Sequence, residues 1–396
     1  MIKIMDACIL FNYQVEKVHN EFNDNLVFIK PSDYSERGEF GYKAVLVVNI
    51  KSMDTMQYIL PSNTKIINST NSKNTFYYAQ LELGDNKSCV NVWLRKLDLE
   101  TMKDTYLGAI EIDIKDQDEP LNYVALNSKI VGINERYCLF FAPCEKLQYG
   151  PSYFSKCLLI DSFENKIITV KDGFINGDSL LKLQDIWVVN DTKNIIIKTG
   201  RIQIFEKREF WDKSIENGEI PSYFDQNESL VFVSTELFID RIKRNEELTG
   251  ILDSSDYTSA ISFCGWDGYK LTFMKHHFKE GKNVIITYKL DSEMFERKEI
   301  EDSCEIVCTT DKYFVVQPVN DENIRFSVRD LTSNTVVQIN GYGIIALDED
   351  KIITHNFNKN FEHVVCLSNV HTGELIKEFK TPNFDYDLEK DLLTIY

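Results

Sequence analysis

Six histidines, His19, His276, His277, His355, His363 and His371, are the side chains best suited to hold a metal, and a metal centre needs several of them to converge. His276 and His277 are adjacent, so on a strand they point to opposite faces and cannot share an ion. His355 and His363 can face each other across a hairpin, yet ordinary polar positions on outer strands account for them, and no metal and no cofactor is expected. Nucleophilic chemistry finds no motif. There is no Gly-x-Ser-x-Gly, and cysteines sit in apolar runs such as Cys138-Leu139-Phe140-Phe141, where burial raises the thiol pKa. Gly341-Tyr342-Gly343 leads into strand residues and not a helix start, which excludes a phosphate-cradling loop. Asp113, Asp116, Asp118 and Glu119 could supply a carboxylate pair for glycoside hydrolysis, but a solvated acidic turn explains them. No catalytic residue is assigned.

Bulk properties narrow the partners. The chain has 396 residues, with 44 Lys and Arg against 62 Asp and Glu, a formal charge of −18 that repels phosphate backbones and anionic lipid. Nucleic-acid and membrane binding are therefore not expected. A 43% hydrophobic content is ample for a large core, and no apolar run reaches the roughly 18 residues a spanning helix needs. Met1 to Tyr13 carries Asp6 and lacks a small-residue cleavage site, so no signal peptide is read. Nine cysteines, an odd number spaced singly and without a Cys-x-x-Cys pair, fit reduced thiols in a cytoplasmic protein. Even Cys304 and Cys308 would stand about 13 Å apart along a strand.

The elements that position these residues are short strands. Runs of four to seven apolar, β-branched or aromatic residues alternate with Asn, Asp, Ser, Gly and Lys, and two hairpin types alternate among them. In the first, a polar turn precedes the strand: at Asn23-Asp24-Asn25, Ser72-Lys73-Asn74, Asn134-Glu135-Arg136, Asp191-Thr192-Lys193, Asp267-Gly268, Asp311-Lys312, Asp348-Glu349-Asp350 and Glu389-Lys390-Asp391. In the second, a strand ends in Asp or Asn before a short turn: at Asp6, Asn49, Asp98, Asp161, Asp240, Asp291, Asp330 and Asn369. A unit of about 40 residues with four short strands is the mark of a propeller blade. The run Asn369-Val370-His371-Thr372-Gly373 resembles the Asp-x-x-Thr-Gly turn of WD40-like and quinoprotein-like β-propellers. The resemblance stops at the superfamily, because Gly-His dipeptides are absent and Trp211-Asp212 and Trp266-Asp267 do not fall at the anchors.

The expected fold is thus all-β: one propeller domain over residues 1–396, built from four-stranded antiparallel blades. Eight blades are favoured, with seven as the alternative, and the ring is closed by pairing of the N- and C-terminal segments. Connections between second and third strands lengthen at 31–42, 144–156 and 202–229, which places elaboration on one face. Ile204, Trp211 and Ile215 at helical spacing, with Gly218 as a stop, predict a short helix in the last of these. Tyr149, Tyr153 and Phe154 on one loop and Phe210, Trp211, Tyr223 and Phe224 on the next are the candidate partner-binding residues. The function expected first is a non-enzymatic scaffold that binds a protein or peptide partner, with basic surfaces favoured by the acidic charge. The alternative is a hydrolase or lyase with a polar site at the propeller axis.

Overall fold

A computed structural model describes the chain except at residues 1–2, 7–15, 23, 32–41, 62–63, 66–73, 85–88, 114–119, 144–153, 180, 190–192, 203–223, 256–258, 267–268, 278–281, 301–303, 310–312, 319–324, 331–332, 334, 348–349, 359–361, 381–383, 388–391 and 396. After β1 (Lys3–Asp6), strands follow in fours that pair in chain order. β2 to β5 are Glu16–Phe22, Asn25–Pro31, Tyr42–Asn49 and Thr55–Ile59; β6 to β9 are Thr64–Lys65, Thr75–Leu83, Cys89–Asp98 and Lys103–Asp113. Helix α1 (Pro120–Asn127) precedes β10 to β13, which are Lys129–Gly132, Tyr137–Pro143, Phe154–Asp161 and Lys166–Thr169. β14 to β17 are Leu181–Val189, Asn194–Ile202, Phe224–Ser234 and Asp253–Ser254, with helix α2 (Thr235–Arg244) between the last two. β18 to β21 are Ser259–Trp266, Lys270–His277, Lys282–Lys289 and Met294–Ile300; β22 to β25 are Cys304–Thr309, Tyr313–Pro318, Arg325–Asp330 and Val336–Asn340. β26 to β29 are Gly343–Leu347, Lys351–Phe357, His363–Asn369 and Leu375–Lys380, and β30 (Phe384–Asp387) and β31 (Leu392–Ile395) end the chain.

Among the described residues these strands make seven antiparallel four-stranded sheets and one three-stranded sheet, the architecture of a β-propeller. They fall into two compact units, residues 16–257 with four of the sheets and residues 1–15 with 258–396 with the other four. Each of the eight polar turns read from the sequence falls between antiparallel partners, from β2 and β3 to β30 and β31. All three long connections run from the second strand of a sheet to the third, as expected.

Within the first unit, the pleat explains why inner strands are apolar at every position. Successive side chains on a strand point to opposite faces, and here both faces are covered by a neighbouring sheet. On β7, Phe76 and Tyr78 join Val27, Val45 and Val47 of the preceding sheet, whereas Tyr77, Ala79 and Leu81 pack with Cys138, Phe140 and Leu158 of the following one. β11 repeats the division, since Leu139 and Phe141 turn instead toward Ile186, Ile195 and Ile197. In the second unit, Val315 and Phe326 meet Leu347 and Ile352 of the adjacent sheet in the same way.

The strand-ending Asp and Asn residues share one local device. The side-chain oxygen of Asn49 accepts from the backbone N–H of Lys51 and Ser52, that of Asp98 from Glu100 and Thr101, and that of Asp161 from Phe163 and Glu164. Asn369 repeats it with His371 and Thr372, and Asp330 accepts from Ser333. Such turns satisfy backbone donors that the ending strand leaves open. Four residues after the anchor the backbone turns left-handed, at Met53 (φ 62°), Met102 (φ 53°), Asn165 (φ 50°) and Gly373 (φ 71°).

Two anchors depart from expectation. Asp240 does not end a strand; it lies in α2, which Ser234 caps by accepting from Leu237 N at 3.2 Å and which buries Phe238, Ile239 and Ile242 on one face. The run Leu237-Phe238-Ile239 reads as a strand end, but the cap, Glu236 in the first turn and Arg241, Lys243 and Arg244 in the last favour a helix. The chain ends do share a sheet, β1 with β31, but in parallel register from Lys3 opposite Leu392 to Asp6 opposite Ile395. No hairpin links these two strands, so the short turn that makes antiparallel pairing the default is not at work. Asp291 lies two residues beyond the end of β20. No helix among the described residues is long and apolar enough to cross a membrane.

Candidate functional site

Two clusters of chemistry-bearing side chains stand out, one in each unit. The first centres on Asp161, wholly buried at the end of β12. Arg136, from the turn between β10 and β11, donates through Nε to Oδ1 at 2.9 Å and through Nη2 to Oδ2 at 2.7 Å, and reaches Glu164 with Nη2 at 2.6 Å. Lys243 of α2 adds a bond at 3.3 Å and donates to the Tyr137 hydroxyl at 2.7 Å. Burial by itself would raise the Asp161 pKa, but bonds from Arg136, Glu164 N–H and Lys243 hold the carboxyl well below the usual range. It stays an anion.

A second layer comes from the neighbouring sheet. The Tyr77 hydroxyl lies 3.0 Å from Glu135 O and 3.2 Å from Asn134 O, and Lys96 Nζ donates to Glu135 O at 3.1 Å. Burial lowers the Lys96 pKa, and its amine is 3.4 Å from Ser162 Oγ. A serine beside an amine of lowered pKa has the atoms of a Ser-Lys nucleophile pair. Here, however, the hydroxyl donates to Glu135 O at 3.1 Å and the amine is turned to the same carbonyl, so both hold a turn in place. Cations and rings alternate on the outer side: Lys96 and Arg136 lie 5.1 and 5.6 Å from the Phe163 ring, and Arg136 and Lys243 lie 5.1 and 4.7 Å from the Tyr137 ring. The arrangement locks two sheets and a helix together.

The second cluster is the histidine pair. In the ladder between β27 and β28, His363 is opposite Phe357 and His355 is opposite Val365, so the two histidines are diagonal neighbours on one face. Their ring planes lie within 8° of parallel with centroids 4.8 Å apart, and His355 Nε2 is 2.6 Å from His363 Nδ1, so the rings meet edge to edge through these two nitrogens as a hydrogen-bonded pair. The facing read from the sequence is thus present. Phe357 lies 4.3 Å from the His363 ring and 5.5 Å from that of His355, and Tyr342 packs edge-on against Phe357 at 5.0 Å. Burial first, and the neighbouring imidazole second, lower the His355 pKa. His276, by contrast, contacts Asn283 across β19 and β20, and His371 lies 3.4 Å from Asp350. No group of three or more His, Cys, Asp or Glu converges on a metal position among the described residues.

Of the candidate partner-binding residues, Tyr149, Tyr153, Phe210, Trp211 and Tyr223 lie outside the described residues, as do Ile204, Ile215 and the predicted helix. The backbones of Phe154 and Phe224 begin β12 and β16, opposite Pro143 and Ile202. Burial pushes the thiols of Cys138 and Cys157 up, as their apolar runs imply. Sequence reading marked Asp161 as a turn anchor but missed its ion pairs, because Arg136 and Lys243 are 25 and 82 residues away.

No family model and no curated protein matches the chain. Among solved structures, a prolyl endopeptidase is similar over 94% of this chain and 51% of its own, with 10% identity and a TM-score of 0.51. Oligopeptidase B from Trypanosoma brucei is similar over 93% and 48%, with 8% identity and a TM-score of 0.48. The β-propeller domain of the Trilobed protease from Pyrococcus furiosus is similar over 92% and 95%, with 10% identity and a TM-score of 0.44. The chain therefore spans about half the length of the prolyl endopeptidase and of oligopeptidase B. The β-propeller fold stands, whereas its WD40-like refinement finds no support. The expectation of a non-enzymatic interaction scaffold is corrected by the prolyl endopeptidase match. At 10% identity the likeness itself is one of fold: this chain has the fold of a β-propeller.

Proposed function

We propose that this chain is a hydrolase that acts on peptides, built on a propeller scaffold. The observation that supports it is the match of 94% of the chain with half of a prolyl endopeptidase, a protein described in terms of inter-domain dynamics in catalysis and specificity. An antiparallel scaffold of face-packed sheets suits such a role, because a rigid framework holds loops at fixed positions around a substrate. The blade count and the single domain over residues 1–396 belong to the same proposal; the described strands supply four sheets in each unit. A cytoplasmic location is supported by the buried thiols of Cys138, Cys157 and Cys366, which form no disulfide.

The test is hydrolysis. The purified chain is incubated with a library of fluorogenic peptides that includes prolyl and N-acylated members, and products are identified by mass spectrometry. Cleavage at defined bonds, co-eluting with the chain on gel filtration, supports a peptide hydrolase. Absence of cleavage across the library at micromolar protein rejects it.

A further inference from the structure

We infer that β5 is a docking edge for a second copy of this chain, paired antiparallel with itself about Gln57. β5 is the last strand of its sheet. Asn49 N–H donates to Asp54 O at 3.0 Å and Leu60 N–H to Lys43 O at 2.8 Å, and the ladder between them runs from Val48 opposite Thr55 to Ala44 opposite Ile59. Residues of an antiparallel strand alternate between bonding to one side and to the other, so Asp54, Met56, Tyr58 and Leu60 are turned to β4. The N–H and C=O of Thr55, Gln57 and Ile59 are turned away from it, and no described strand takes them up. Charge sets this edge apart. Exposed edges are normally blunted by charged side chains, lysine above all. Of the seven fourth strands, β9, β13, β17, β21 and β29 follow that rule, from the single Lys166 of β13 to Glu296-Arg297-Lys298-Glu299 of β21. β25 is uncharged, but the turn after β28 closes on it, since a Cβ on Gly373 would lie 2.8 Å from Gln338 O. In β5 no charge occurs from Thr55 to Thr64, and Met56 and Ile59 are 39% and 66% exposed.

The occupant follows from symmetry. Two copies of one strand pair antiparallel about a two-fold axis perpendicular to the sheet, and because paired side chains share a face, that axis must pass beside a residue that meets its own copy. Centred on Gln57, the register sets Gln57 against Gln57, Thr55 against Ile59 and Met56 against Tyr58. The three outward-turned residues then all fall at hydrogen-bonded positions and exchange both backbone bonds with their opposites. No like charges meet. The same operation about the middle of β21 or β29 sets Arg297, Lys377 or Glu378 against itself. Strands this short bury less than a standard interface, so the dimer is expected in the micromolar range.

The experiment is sedimentation velocity of the full chain from micromolar to hundreds of micromolar. A monomer–dimer equilibrium is expected that tightens as salt is raised, because two copies of charge −18 repel each other. Gln57→Lys and Gln57→Glu each set like charges opposite and should weaken it at least about tenfold, whereas an equimolar mixture of the two should associate at least as well as the wild type. Ile376→Lys, on β29, should leave it unchanged. Circular dichroism confirms that each variant is folded. A chain that is monomeric throughout, a dimer that both Gln57 variants retain, or a mixture as monomeric as its components overturns the proposal. So does a monomeric chain whose β5 amides are protected from hydrogen exchange by an added prolyl peptide, which gives the edge to substrate.

Discussion

The turns after β12 and β28 are two copies of one device set in different surroundings. Asp161 and Asn369 each end a third strand, each accept two backbone N–H bonds, and each are followed four residues later by a left-handed residue. Around Asp161 the neighbours close in. Two cations, a tyrosine from the next sheet and helix α2 all converge, and the carboxylate has no exposed surface. Around Asn369 the neutral amide faces an exposed turn, and the histidines at the far end of the same strand pair contact each other. A local motif is enough to make a turn; what the turn joins depends on the charge of its anchor and on what packs over it.

The sharpest way to break the comparison is Asp161→Ala, which removes the acceptor of Arg136, Lys243 and two backbone donors and should cost about 2–3 kcal/mol in urea unfolding, since both cations keep access to water. Asn369→Ala removes only turn bonds and should cost about 1 kcal/mol. The same asymmetry appears with pH. The native Asp161 pKa is depressed below its unfolded value near 4, so the unfolded state binds more protons and stability rises with pH in that window. Its contribution is complete above the unfolded value and is lost as pH falls through the native one. Wild type should therefore lose stability below about pH 4 more steeply than Asp161→Asn.

Intermediate effects come next. At Gly373 an added Cβ would lie 2.8 Å from Gln338 O at a φ of 71°, so Gly373→Ala should cost about 1–2 kcal/mol. Asn165, at the equivalent place after Asp161, already carries a side chain with φ 50°, and Asn165→Gly should be neutral within about 0.5 kcal/mol. Tyr77→Phe keeps the packed ring and deletes the hydroxyl that reaches the 134–135 carbonyls, an expected loss of about 1–2 kcal/mol. The smallest effect is at the histidines. His355 should titrate below the ordinary histidine value in an NMR pH series, and move back up in His363→Gln as the neighbouring imidazole is removed. A His355 pKa unchanged by that substitution means the pair is not electrostatically coupled.

How much was legible follows from the range of each interaction. The first-type turns were readable because Asn, Asp and Lys between apolar runs act within three or four residues. The third-strand anchors were readable for the same reason, and the exception proves the limit: at Asp240 an apolar triplet before an Asp is equally a helix face, and only the Ser234 cap and the packing of Phe238, Ile239 and Ile242 against the adjacent sheet decide between them. The facing of His355 and His363 was readable because both flank one hairpin. Their separation of 2.6 Å was not, since it depends on a diagonal register and on Phe357 beside them.

Sequence alone determined the all-β class, the turn positions and the apolar character of the inner strands, because these rest on side-chain period and turn chemistry, which are local. Tertiary structure decided which sheet each face of β7 and β11 packs against, that the chain ends pair in parallel, and that Asp161 rather than another anchor gathers Arg136 and Lys243. Those outcomes join residues tens to hundreds of positions apart, and no short-range pattern encodes a partner at that distance. Burial then multiplies the difference, since the same carboxylate that costs little in a solvated turn must be fully paired once water is excluded.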